Sequence, residues 1–329
     1  MERASYRELR DLSSLEALVS AIGERNMTPG WIRRQKPFLY PEMHSAFVPA
    51  HWRYAEAKAA MQAAGRLIGT DLAERRNFVL RNPAPGNDYA TLRTLVAAYQ
   101  SILPGEKARS HRHAPHALRV ILESRGSYSI VDGDKHPMET GDIVLTPGWS
   151  WHGHGHDGGE QAYWFDGLDI PLNQLLEPMF FEEHPLGFEP VRRVTADSPM
   201  RFTWKRIRQD LHTASQDEFF GKTIALEAPA MPTITLKVHA WPAGWRNRPY
   251  RHSVNTVYVV MQGEGRSVMG EQAFGWSFGD TLALPAWTRV EHHATSDAVV
   301  FSMSDEQLMR WTRYHRFEAL EKMGTYPIL

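Results

Sequence analysis

The 329-residue chain contains no cysteine. Disulfides and thiolate sites are thereby excluded, and the absence fits a reducing compartment. The chain also lacks any run approaching the ~20 apolar residues of a membrane-spanning helix. Its first residues, Met1 to Arg7, carry no apolar core of the signal-peptide kind. A cytoplasmic location and no membrane partner are the resulting expectations. An excess of one charge is missing too. Lys plus Arg number 37 against 38 for Asp plus Glu, and no block of one sign occurs. That argues against nucleic acid as the main partner. What is present is 42% hydrophobic residues, with 11 Trp and 16 His. Cores can form, and aromatic, histidine-containing pockets become plausible. The length suggests about two domains.

Residues 1–76 read as a helical N-terminal arm. Ser13-Ser14 stands as an N-cap signal before the apolar stripe Leu15 to Ile22, and Gly23 is a natural stop. Pro37, Pro41 and Pro49 mark an extended stretch, and the Ala-rich residues 54–68 read as a second helix. The arm is expected to wrap a barrel rather than form a domain of its own. From residue 77 to 172, short strands recur at roughly ten-residue spacing, as in sandwiches and barrels. Asp132-Gly133 between two alternating runs marks a hairpin. Residues 173–222 read as a connector with one helix, and 223–303 as a second β region. Residues 304–329 read as a terminal helix, from Glu306 to about Met323, opened by a capping box at Ser304 to Gln307.

The two β regions repeat one plan. Gly105, five residues, then His111-Arg112-His113 is matched by Gly244, five residues, then Tyr250-Arg251-His252. Gly141-Asp142 with Pro147 is matched by Gly279-Asp280 with Pro285, and Trp149 by Trp287. Five residues beyond Pro147 stands His152; five beyond Pro285 stands Val290.

Side chains at i and i+2 of a strand share a face, so His111 and His113 point the same way. With His152 they make a three-histidine metal set. Three imidazoles leave open positions on an octahedral ion, which suits Fe(II) with a bidentate substrate and dioxygen. A lone histidine would more simply be a hydrogen-bonded core residue; three at matched motifs favour a metal. Residues 114–119 (Ala-Pro-His-Ala-Leu-Arg) supply no carboxylate ligand. The second copy keeps only His252, read as a packed or hydrogen-bonded core residue, so one metal per chain is expected. Arg119 lies an even six residues after His113 and suits a carboxylate. His154 could donate to a substrate oxygen or relay a proton, or it could be a rim histidine. His116, His136 and His156 are expected to be exposed.

The pattern Gly-x5-His-x-His followed by Gly-x5-Pro-x4-His resembles the cupin superfamily, and two copies make a bicupin: an all-β core of two jelly-roll barrels. Residues 111–119 (HRHAPHALR), 141–155 (GDIVLTPGWSWHGHG) and 164–172 (WFDGLDIPL) resemble more closely the gentisate 1,2-dioxygenase group, which includes salicylate and 1-hydroxy-2-naphthoate dioxygenases. The likeness spans essentially the whole chain. It implies an N-terminal, metal-binding cupin and a degenerate second one. It also implies a mononuclear Fe(2+) enzyme that opens a 2-hydroxybenzoate with O2 between the carboxyl- and hydroxyl-bearing carbons. It further implies a functional acid at Asp166, a carboxylate clamp at Arg75 (the residues themselves leave Arg75 and Arg76 open), pocket positions at Val96, Ala98 and Trp149, and a dimer or tetramer of identical chains. Family members often carry Trp where Val96 stands, within Thr94-Leu95-Val96-Ala97-Ala98. That change leaves two substrates open, gentisate or a salicylate with another ring substituent such as a 5-nitro or 5-halo group. A non-catalytic ligand-binding bicupin and a metal cupin of other chemistry are the rival expectations.

Overall fold

The computed structural model describes residues 9–31, 39–69, 76–195 and 197–321. The chain divides at Met43 into two units. Of the first, α1 (Leu15–Gly23) is the principal element, and Ser14 caps it as expected by accepting from Ala17 N at 3.1 Å. The second unit, from His44 onward, holds two barrels of eight strands each. The first has β1 (Val96–Ile102), β2 (Lys107–His113), β3 (Ala117–Glu123), β4 (Ser127–Val131), β5 (Asp134–Met138), β6 (Ile143–Thr146), β7 (His152–His156) and β8 (Ala162–Leu168). The second has β9 (Thr235–Trp241), β10 (Tyr250–His252), β11 (Thr256–Gln262), β12 (Gly265–Met269), β13 (Gln272–Trp276), β14 (Thr281–Leu284), β15 (Val290–Ala294) and β16 (Ala298–Ser304). Each barrel is two sheets. In the first, the order β6-β3-β8-β1 forms one and β2-β7-β4-β5 the other. The second repeats this as β14-β11-β16-β9 and β13-β12-β15-β10. The Asp132-Gly133 hairpin joins β4 to β5 with positive φ at both residues, as a tight two-residue turn requires.

The strand period of two sorts the larger apolar residues of the larger sheet between two cores. Ala97, Tyr99, Leu118, Val120 and Phe165 pack with Val257, Val259, Phe301 and Met303 of the second barrel in one cluster. The alternate residues, Ile102, Ile121, Val144 and Trp164, pack together inside the first barrel. The barrels therefore join through their larger sheets, and the inward face of each is left for its own interior.

The arm and connector extend the internal repeat. Strand Ala50–Trp52 leads into α2 (Tyr54–Leu67) and pairs with β14 of the second barrel. Strand Arg201–Phe202 leads into α4 (Trp204–Thr213) and pairs with β6 of the first. Asp280 accepts from Tyr54 N at 2.8 Å and faces His51 Nε2 at 3.0 Å. Asp142 accepts from Trp204 N at 2.9 Å and from Arg201 Nε at 2.8 Å. Gly279 and Gly141, both at positive φ, lie so close to the Tyr54 and Trp204 rings that a Cβ would sit 2.3 and 2.6 Å from them. The strand–helix unit ahead of the first barrel thus docks on the second, and the unit between the barrels docks back on the first.

After each barrel comes a short helix, α3 (Ile170–Leu176) or α5 (Glu306–Trp311), and then a strand that returns to the histidine-bearing edge. Phe181–Glu183 pairs with β2, and Phe317–Ala319 with β10. The long terminal helix expected from the sequence is therefore only six residues long. The capping box is not made: Asp305 directs its carboxylate to Asn255 and Thr94, and Thr235 Oγ1 accepts from Gln307 N instead. Pairing with β10 outcompetes helix propensity over 317–319.

Candidate metal centre

Three histidines converge on the inner face of the smaller sheet of the first barrel. His111 on β2 sits directly across from His152 on β7, with ring centroids 4.5 Å apart. His113, two residues along β2, lies 4.8 Å from His152 and 5.5 Å from His111. One nitrogen of each falls within 4.8 Å of the others. Backbone carbonyls orient two of the rings. His113 Nδ1 donates to Pro115 O at 2.8 Å and His152 Nδ1 to Ser150 O at 3.0 Å. With Nδ1 carrying the proton, the lone pair of a neutral ring resides on Nε2, the arrangement that ligating histidines use. His111 and His152 are buried. Donor type, tautomer and convergence all fit a divalent transition metal, and the cluster among the described residues holds no carboxylate.

Trp149, with φ +69°, makes the bend between Pro147 and β7, and its N–H donates to His113 O at 2.7 Å. Trp287 repeats this in the second barrel with φ +61° and a bond to His252 O. The Trp149 indole is half exposed and stacks on Phe180 of the connector at 4.9 Å.

The larger sheet faces the cluster with a polar row. Arg119 on β3, Asp166 on β8 and Ala98 on β1 are direct cross-strand neighbours and share the inward face. Arg119 and Asp166 are buried, with Nε 3.3 Å from Oδ1. Arg119 Nη1 also donates to Thr146 Oγ1 at 2.6 Å, and Asp166 accepts from Trp164 Nε1 at 3.2 Å. The guanidinium is thus aimed by two side chains rather than left to rotate. Burial disfavours its charged form and Asp166 restores it. His154 is buried, its ring 6.2 Å from His152 and 5.8 Å from Trp164. Val96 is buried at the start of β1, two residues before Ala98.

Other residues depart from expectation. Arg75 lies outside the described residues. Arg76 is turned to structure: it donates to both oxygens of Glu106 at 2.6 Å and to Ile68 O at 2.8 Å. His136 and His156 are buried, not exposed, because their strands place them on the inward face. His116 is half-buried and accepts from Gly148 N at 2.9 Å. Two inward groups were overlooked in the sequence. Gln100 lies two residues beyond Ala98, buried and across from Trp164, and Thr146 holds Arg119. The strand period applied outward from Val96 would have found Gln100; nothing local marks Thr146.

In the second barrel His252 is buried as expected, but its Nε2 has no hydrogen-bond partner among the described residues. Tyr250 and Val290 stand where the first barrel has His111 and His152 and pair across strands as those two do.

A family model described as a cupin domain matches residues 98–170. Gentisate 1,2 dioxygenase 1 of Aquipseudomonas alcaligenes is 34% identical over 87% of this chain and 91% of its own length. The 5-aminosalicylate 1,2-dioxygenase of a Comamonas species is 30% identical over 96% of this chain and 93% of its own. Among solved structures, salicylate 1,2-dioxygenase from Pseudoaminobacter salicylatoxidans with gentisate superposes with a TM-score of 0.84 at 27% identity, covering 95% of each chain. The chain belongs to the gentisate 1,2-dioxygenase-like family of cupin ring-cleaving dioxygenases.

Proposed function

We propose that the protein is a ferrous dioxygenase that opens a 2-hydroxybenzoate, gentisate or a 5-substituted salicylate, between its carboxyl- and hydroxyl-bearing carbons, both atoms of O2 entering the product. The observation that carries this reading is the buried Arg119–Asp166 pair lying across the barrel interior from His111, His113 and His152. When bound by these histidines, Fe(2+) would supply the Lewis acidity and redox reach that the side chains lack. Arg119, held by Asp166 and Thr146, offers a carboxylate a charged donor already fixed in direction. Asp166 keeps that guanidinium charged inside the barrel. His154 presents a ring nitrogen toward the hydroxyl side of the substrate. Val96 and Ala98 form the small-residue wall against which ring substituents would lie, and Arg75 remains a candidate second clamp. Trp149 and Phe180 close the rim.

A homo-oligomer, dimer or tetramer, belongs to the same reading. Its support is the cluster of exposed apolar side chains Leu175, Leu176, Met179, Phe181 and Leu186 on the connector. A cytoplasmic location accords with a metal that must stay ferrous.

The test is oxygen uptake by anaerobically iron-loaded protein with gentisate, salicylate and 5-amino-, 5-nitro- and 5-chlorosalicylate. Stoichiometric uptake and an acyclic product carrying two labelled oxygens support the reading; no uptake with any of these acids overturns it. Val96→Trp, run beside the wild type, should change the ranking of 5-substituted acids at least tenfold in kcat/KM.

A further inference from the structure

The smaller sheet has a second face. Outward of the metal cluster, between β2, β4 and β7 and the connector that crosses them, lies a cavity of about 360 Å³. Its walls are Ala108, Ser110, Tyr128, Ile130, Phe188 and Glu189. The period of two explains the placement: Ser110 precedes the inward His111, and Tyr128 and Ile130 alternate with the inward Ser129. The connector is tied down over it. His184 N donates to Ser110 O at 2.9 Å, Ser110 N to Gly187 O at 2.9 Å, and Glu189 N to Ser110 Oγ at 2.8 Å.

Glu189 is the anomaly. It is only 6% exposed, yet Oε2 has no hydrogen-bond partner among the described residues. Burial and the nearby Asp132 push its carboxyl up to about 7, against the pull of Arg192. A buried acceptor without a donor is costly, and in a native protein it calls for a partner. The rest of the wall is apolar and aromatic, apart from Ser110, His154 and the exposed Lys107 at the rim. The volume sits at the small end of the roughly 300–1,000 Å³ of ligand pockets, enough for one ring and not for two.

We propose that this outer cavity is a second binding site, for a single-ring aromatic acid carrying a hydroxyl or amine. The hydroxyl or amine turns to the Glu189 carboxyl, the ring lies between Ile130, Tyr128 and Phe188, and the carboxylate meets Lys107. The site lies on the outer side of the sheet and meets the barrel interior at His154, and its existence does not depend on the dioxygenase reading. Its occupant would touch the outer faces of strands whose inner faces carry His111 and His152.

The test is calorimetric titration of 3-hydroxybenzoate, whose meta hydroxyl cannot chelate a metal together with the carboxylate. The expected result is one saturable event, weakened at least tenfold by Ile130→Phe and by Glu189→Leu and unchanged by Arg119→Ala. Val191→Trp, at a half-exposed position of the cavity wall, gives the same loss without risk to the core. No binding up to millimolar ligand overturns the proposal. So does binding that Arg119→Ala abolishes and the cavity variants leave intact, because the ligand then sits inside the barrel.

Discussion

Asp169 accepts a hydrogen bond from Thr233 Oγ1 at 2.5 Å, and the second half of the chain returns it: Asp305 accepts from Thr94 Oγ1 at 2.6 Å. Each aspartate ends one barrel and each threonine begins the other. His116 N and Asn255 N, equivalent in the repeat, donate to the same two carboxylates at 2.8 Å. The two barrels are thus latched reciprocally through buried acids.

Removing one latch donor should cost stability without touching the metal site. Thr94→Val and Thr233→Val keep shape but leave a buried carboxylate short of a partner, at a cost of about 1–3 kcal/mol each. Denaturant unfolding of the metal-free protein measures it. Two variants as stable as the wild type would mean the latch contributes nothing.

Metal occupancy should follow the three histidines alone. His113→Ala and His152→Ala should drop bound metal to near zero by elemental analysis, while His252→Ala leaves the wild-type content. Chelation should lower the melting temperature of the wild type and not of the two ligand variants, since only a bound ion stabilises the fold by mass action. Equal chelator sensitivity in all four proteins would place the metal elsewhere.

The Arg119–Asp166 pair should act on substrate and not on metal. Arg119→Lys keeps the charge but loses the fork that Asp166 and Thr146 aim. A loss on the order of 10²-fold in kcat/KM, with metal content unchanged, is the expectation. Asp166→Asn should raise KM in the same direction by a smaller factor. Unaltered kinetics in both variants would detach the pair from substrate.

The second barrel should be acid-labile. His239, His252 and His292 are buried neutral, each pushed down to about 3 chiefly by burial. Unfolded, each would take a proton near its ordinary value of 6.5. No penalty exists above pH 6.5; below it the unfolded chain binds protons that the fold refuses. Stability then falls by about 1.4 kcal/mol per pH unit per histidine until the folded values are reached. His252→Gln cannot charge, so its acid-unfolding midpoint should move to lower pH; an unmoved or higher midpoint removes His252 from the account.

The readable parts of this chain were those that depend on local spacing. His-x-His on a strand, Gly-Asp before a strand and Asp-Gly at a hairpin each act within a few residues, so the histidine cluster, the barrel count and the inward Arg119 could be read directly. What the sequence hid was long-range competition. Nothing around Ala50–Trp52 says that its partner strand lies at 281–284. Arg76 looks no different from its neighbour until Glu106 folds beside it. His136 and His156 looked idle because no motif claims them, yet strand parity buries them. The terminal helix was overextended because the strand that stops it pairs with β10, some seventy residues earlier in the chain.

The exchanged strand–helix units give the chain an internal symmetry. A contact in which one residue meets its counterpart's partner, and the reverse, is what a two-fold axis produces. Two such repeats on separate chains would assemble as a swapped pair, each copy lending its leading strand and helix to the other. With both halves in one chain the axis is internal, and one half is free of the need to match the other. The halves do differ: the second keeps the scaffold, with Tyr250 and Val290 where the first has His111 and His152.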